Sequence, residues 1–179
     1  MDRKPEETNI FLIGYRCTGK TSVGMRLAEL TGKRFVDADD WFTARHGIIS
    51  EYVAAYGWDE FRRQETAILK TIARGGDQVI ATGGGVVLKS ENVAVMKARG
   101  LVVWLTASEE TIARRMAADP VTAVSRPGLT ALPLRDEIAK TLAERMPLYR
   151  RAMDFCVDTD GLPVEDVCRR IIDEVAGKG

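Results

Sequence analysis

Gly14, Gly19, Lys20 and Thr21, within the run IFLIGYRCTGKTSVG at residues 10–24, satisfy the spacing GxxxxGK[ST], with an apolar strand-like run before them and helical spacing after them. The two glycines let the loop turn its backbone N–H groups inward on phosphate, and the start of the following helix adds partial positive charge. Lysine at this place reaches the β- and γ-phosphates of a nucleotide, and the threonine hydroxyl ligates Mg²⁺. A plain strand-to-helix turn would need glycine, but neither lysine nor threonine. The expected nucleotide contacts are Gly14, Cys17, Thr18, Gly19, Lys20, Thr21 and Ser22, with Cys17 a spacer whose backbone counts rather than a nucleophile.

Two carboxylates stand in the next candidate stretch, RFVDADD. Asp37 and Asp39 follow the apolar pair Phe35 and Val36, which places them at a strand's carboxyl end, the edge where open α/β sheets bind ligands. Two residues apart on an extended segment, they share one side and could together hold Mg²⁺ and accept a proton. Capping is the plain alternative for either, and Asp40 is the expected helix cap. A third stretch, VIATGGG, sets Gly83, Gly84 and Gly85 in a row. Three glycines cost much chain entropy, so they point to a close approach of backbone to a ligand. That strand carries no terminal Asp or Glu of the Walker B kind, which argues against a motor ATPase and leaves Asp37 as the acidic partner for magnesium. No NKxD-like guanine-reading run is present. Arg62 in WDEFRRQE, Arg126 in SRPGLT and Arg145 in LAERMPLYRR are further candidates, though a solvated surface charge is the default reading of an arginine.

These residues must be held by a scaffold that the apolar pattern outlines. Short buried-looking runs at Ile10–Ile13, Phe35–Val36, Val79–Ala81, Leu101–Leu105 and Phe155–Val157 predict five strands. Helical spacing covers Lys20–Leu30, Glu60–Ala73, Asn92–Ala98, Ser108–Ala117, Leu134–Tyr149 and Val164–Val175. The alternation predicts right-handed crossovers and one parallel sheet covered on both faces. Two excursions interrupt it, Trp41–Gly57 and the proline-rich Asp119–Pro133, and such segments often serve as substrate caps or lids. A length of 179 residues suits a single domain. Lys plus Arg equals Asp plus Glu at 26 each, so no global field draws the chain to nucleic acid or an anionic membrane. The polar start MDRKPEET, and the absence of any apolar run near the ~18 residues of a membrane span, lead us to expect a cytoplasmic protein. Three widely spaced cysteines fit neither a disulfide framework nor a zinc site, and the one histidine, His46 beside Gly47, reads as a solvated loop residue.

Taken in order, GxxxxGKT, FVDAD, FRxxE, ATGGG, RPxL and ERxPLY resemble the shikimate kinase family over roughly residues 9 to 160, and Trp58 together with RPGLTALPL is closer to the second bacterial isoenzyme type than to the first. The resemblance implies a P-loop, nucleoside-monophosphate-kinase-like three-layer α/β fold. Its five-stranded parallel sheet would run in the order 2-3-1-4-5, with a substrate cap at about 41–73 and a lid at about 119–133. It implies transfer of the γ-phosphate of ATP to the 3-hydroxyl of shikimate, with Mg²⁺; a monomer is the expected state, although the sequence does not itself reveal it. Carried onto this chain, Asp39 binds the reacting hydroxyl and is the candidate base, and Asp37 helps hold magnesium through water. Arg62 and Arg145 bind the substrate carboxylate, Gly83, Gly84 and Gly85 bring backbone against the ring, and Phe61 lines the pocket. Arg126 closes over the phosphates, Arg115 stacks on adenine, and residues 160–163 form the adenine loop. Two positions depart from the usual pattern, Gly128 in the lid and Val53 in the cap. The competing readings are a kinase of another small hydroxy acid, such as gluconate, and an ATP-binding regulatory domain without catalysis.

Overall fold

A computed structural model describes residues 8–119 and 133–177. Among these are five strands and seven α-helices, in chain order β1 (Asn9–Ile13), α1 (Lys20–Thr31), β2 (Arg34–Asp37), α2 (Ala38–His46), α3 (Ile49–Ile72), β3 (Gln78–Ala81), α4 (Ser90–Arg99), β4 (Gly100–Thr106), α5 (Glu109–Ala118), α6 (Leu134–Ala152), β5 (Phe155–Asp158) and α7 (Val164–Gly177). The strands form one sheet in the order β2-β3-β1-β4-β5. Every pairing is parallel, with Phe11 aligned to Ile80 on one side and to Val102 on the other. The expected order and layers are therefore those observed.

Side-chain alternation builds the two cores. On β1, Phe11 and Ile13 face one side and join Phe42, Phe61, Leu69, Ile80, Met96, Val102 and Tyr149, whereas Ile10 and Leu12 face the other and join Leu27, Val79, Val103, Val157 and Ile171. All five residues of β1 are buried, as a central strand covered on both faces requires. Because every strand runs the same way, the phosphate loop, Asp37 and the glycine run all emerge at one carboxyl edge of the sheet. Among the described residues no helix is long and apolar enough to cross a membrane.

The stretch read as an excursion at Trp41–Gly57 is instead mostly helical, occupied by α2 and the first part of α3. Its apolar residues fold against the core as an aromatic cluster: Phe42 lies 4.9 Å from Phe61 and 5.1 Å from Tyr52 between ring centroids. His46, expected in a solvated loop, ends α2 and is half-buried, with its ring 4.8 Å from Phe42 and 5.3 Å from Tyr52. Val53 is partly buried against the same core.

Gly57 interrupts α3 at φ 81°, ψ 167°, a backbone region that only glycine occupies readily. A Cβ there would meet no atom within 4 Å, so glycine is required by conformation and not by crowding. Gly57→Ala is therefore expected to lower the free energy of unfolding in urea by ~1–3 kcal/mol. An unchanged midpoint would mean that the break in α3 relaxes without cost.

Candidate active site

The phosphate loop joins β1 to α1. Gly14 has φ 144°, Cys17 φ 60° and Gly19 φ 94°, a succession of unusual conformations that turns the loop back on itself. A side chain at Gly14 would lie 2.9 Å from the Thr18 hydroxyl and run into the Leu105 carbonyl, so this glycine cannot be exchanged without moving β4. Lys20 is buried, and its Nζ donates to the carbonyls of Gly14 at 2.9 Å and Tyr15 at 2.8 Å, which points the ammonium back over the loop. Thr18 Oγ1 donates to the Tyr15 carbonyl at 2.8 Å and stiffens the same turn.

Asp37 and Asp39 come together, though not as two residues of one extended segment. The strand ends at Asp37, and Asp39 lies in the first turn of α2. Asp37, rather than Asp40, is the N-cap: its Oδ1 accepts from the Asp39 backbone N–H at 2.9 Å and from that of Asp40 at 3.4 Å. Residue 37 still has extended backbone, which lets its carboxylate reach forward over the helix start. Its other oxygen accepts from Thr21 Oγ1 at 2.9 Å. Burial first, then the neighbouring Asp39 carboxylate, raises the Asp37 pKa above its ordinary value. A hydroxyl and carboxylate oxygens held side by side beside a phosphate loop are hard oxygen donors of the kind Mg²⁺ prefers.

A cleft of about 500 Å³ lies over this group, lined by Gly19, Lys20, Thr21, Asp37, Asp39 and Thr82 among others. A narrower chamber of about 40 Å³ adjoins it, lined by Arg16, Asp39, Trp58, Phe61, Arg62, Glu65, the three glycines and Arg145. Asp39 lines both. Three arginines and two acidic residues therefore line the small chamber, a local excess of basic residues that the neutral composition did not reveal.

Arg62 is held firmly. Its Nη1 donates to Glu65 Oε1 at 2.9 Å and Oε2 at 2.8 Å, one turn along α3, while its guanidinium lies 5.2 Å from the Trp58 ring centre and 5.0 Å from that of Phe61. Glu65 is only 7 % exposed, and burial raises its pKa against the opposing pull of Arg62. The glycine run is explained by these neighbours: a Cβ on Gly83 would sit 2.7 Å from Glu65 Oε1 and 3.2 Å from Asp39 Oδ1, and one on Gly85 would collide with the Arg62 guanidinium. Larger residues at either position would push the charged groups out of the chamber.

On the opposite side of the phosphate loop, Arg115 Nη1 donates to the Cys17 carbonyl at 3.2 Å and to Thr159 Oγ1 at 3.1 Å, and its Nη2 donates to the Thr159 carbonyl at 3.0 Å. A side cleft here is lined by Cys17, Thr18, Ser22, Arg115 and Leu162 among others. Arg126 and Gly128 lie outside the described residues. The sequence reading missed Arg16 and Glu65 as site residues. Arg16 offered one signal, its place inside the phosphate loop. Glu65 offered another, its spacing of three from Arg62 on a helix.

The chain matches the family model described as Shikimate kinase over residues 16–176. It is 42% identical over 164 residues to "Shikimate kinase 2" of Enterobacter sp. (strain 638), covering 91% of this chain and 92% of that protein. It is 43% identical over 167 residues to "Shikimate kinase" of Thermodesulfovibrio yellowstonii, covering 93% and 94% of the two chains. Among solved structures, shikimate kinase from Acinetobacter baumannii in complex with shikimate superposes with a TM-score of 0.89 at 31% identity, covering 96% of this chain and 94% of that one.

Proposed function

The chain belongs to the shikimate kinase family, and from that membership we propose how its residues divide the work of phosphoryl transfer. The protein is a shikimate kinase, an ATP-dependent enzyme acting on shikimate. The observation that carries the division of roles is the position of Asp39, a wall of both the large cleft and the small chamber. ATP is read into the first, with its phosphates on the loop from Gly14 to Ser22 and its base near Arg115. Shikimate is read into the second, with its carboxylate toward Arg62 and Arg145 and its ring against Phe61 and the glycines.

In this arrangement Asp39 accepts the proton of the 3-hydroxyl as the oxygen bonds to the γ-phosphorus and the bond to the β-phosphate oxygen of ADP breaks. Lys20 swings from its loop carbonyls to meet the negative charge on the transferring group. Phosphoryl transfer needs little covalent participation by the protein, so positioning and charge neutralisation supply the catalysis. Thr21 and Asp37 would hold Mg²⁺, the ion that neutralises charge on the nucleotide phosphates. Residues 41–73 serve as the substrate cap. The lid at about 119–133, with Arg126 closing over the phosphates, enters through the family resemblance alone. The equality of 26 basic and 26 acidic side chains gives no global field toward nucleic acid or a membrane, which agrees with a small-molecule partner, and a cytoplasmic monomer completes the reading.

A coupled assay of ADP release with shikimate, quinate, gluconate and water as acceptors tests this assignment. Turnover is expected with shikimate and near background with the others; equal turnover with gluconate would overturn it. Arg62→Ala and Arg145→Ala are each expected to weaken shikimate binding by ~2–5 kcal/mol, the cost of leaving a desolvated carboxylate without its partner. Titration calorimetry should show ATP affinity unchanged. Loss of ATP affinity with shikimate affinity intact would remove the carboxylate role from both arginines.

A further inference from the structure

The run LAERMPLYRR contributes Arg145 to the small chamber, but the same helix face carries a second polar residue that the reaction has not used. Thr141, Arg145 and Tyr149 recur every four residues along α6 and all are buried. Tyr149 is 0 % exposed, yet its hydroxyl is not idle: it donates to the Gly84 carbonyl at 2.5 Å. Its ring stacks on Trp104, with centroids 5.5 Å apart and planes at 23°. The stack accounts for an aromatic ring at this position. It does not account for the hydroxyl, whose burial costs free energy unless it is hydrogen-bonded.

Gly84 is where three parts of the site meet. From its Cα, a Cβ would point to within 3.4 Å of the Arg16 backbone nitrogen and the Gly14 carbonyl oxygen, both in the phosphate loop, and to 3.7 Å from Arg145 Nη1. The glycine run, with little intrinsic stiffness, must hold its shape at this seam. Burial, opposed by the adjacent Arg145, pushes the Tyr149 phenol up to about 12, so it remains a neutral donor at physiological pH.

We propose that Tyr149 is a positioning residue for the acceptor: by fixing the Gly84 carbonyl beside Arg145, it sets the wall against which the small acid binds. This rests on the reading that Arg62, Arg145 and the glycine run hold shikimate. Without the hydroxyl, the Gly84 carbonyl loses its partner and the wall must be ordered when the acceptor binds, which weakens acceptor affinity. The phosphate loop keeps its own internal bonds from Lys20 and Thr18 and should bind ATP as before.

The test compares Tyr149→Phe, which keeps the ring and removes the hydroxyl, with Trp104→Phe, which loosens the same stack and keeps the hydroxyl. Both are assayed well below their own melting temperatures. Tyr149→Phe is expected to raise the shikimate KM about tenfold, with kcat and the ATP KM changed by less than about twofold. Trp104→Phe should lower the melting temperature with little change in shikimate KM. An unchanged shikimate KM in Tyr149→Phe, an equal rise in both variants, or a parallel rise in the ATP KM would overturn the proposal by making the residue merely structural. Arg145→Lys, assayed alongside, separates the two levels. If it raises the shikimate KM while Tyr149→Phe does not, only the positioning role fails; if it leaves the KM unchanged, the reading of the chamber fails with it.

Discussion

Lys20→Ala is expected to lower kcat by about 10³-fold, the scale of removing a charged or hydrogen-bonding group aimed at a developing negative charge in a desolvated site. The Lys20 side chain is buried in the phosphate loop, and its ammonium is held by the Gly14 and Tyr15 carbonyls. Among the described residues no other lysine or arginine lines the large cleft, so none of them stands there to replace it. The fold should survive, because Thr18 still bonds the Tyr15 carbonyl and the Lys20 side chain itself lines a cleft of about 500 Å³, so its removal opens onto that cleft. A coupled assay of ADP release, with circular dichroism to verify folding, decides the matter. Near-normal turnover in a folded variant would rule out the phosphate-loop assignment.

Asp39→Asn should reduce turnover by ~10² or more while leaving ATP affinity nearly unchanged. Asparagine keeps the shape of aspartate and loses its basicity. Were Asp39 a helix cap, the exchange would be almost silent, because asparagine caps as well as aspartate. The structure removes that alternative: the N-cap of α2 is Asp37, and Asp39 contributes its backbone N–H as the capped donor. Its side chain lines both chambers, with Oδ1 3.2 Å from where a Cβ of Gly83 would stand.

The sheet was legible because its strands are short apolar runs between helical segments, and because a parallel sheet needs burial on both faces. Phe11 and Ile10 are equally apolar in sequence and point to opposite cores. The phosphate loop was legible for a different reason, since its glycines, lysine and threonine have few other uses at that spacing. The cap was harder. Glycines at 47 and 57 divide it, and its mixture of aromatic and polar residues obscures the helical period, so α2 and the start of α3 did not stand out. Capping by Asp37 rather than Asp40 depended on where β2 stops, a boundary that local pattern does not fix. Arg16 and Glu65 were not singled out, because sequence reports charge without burial. Only the fold, which brings the glycine run of β3 against α3 and α6, shows that they are enclosed. The hydroxyl of Tyr149 was hidden in the same way, since its partner Gly84 is 65 positions distant.

The most direct measurement is single-turnover phosphoryl transfer in a rapid-quench instrument, with enzyme in excess over Mg·ATP and shikimate saturating, comparing the wild type with Asp39→Asn. These conditions remove substrate binding and product release from the comparison, so the rate reports the chemical step. If Asp39 takes the proton of the attacking hydroxyl, the single-turnover rate of Asp39→Asn falls by ~10² or more. A loss smaller than about threefold would contradict a catalytic Asp39 and, with it, the assignment of two chambers meeting at that carboxylate.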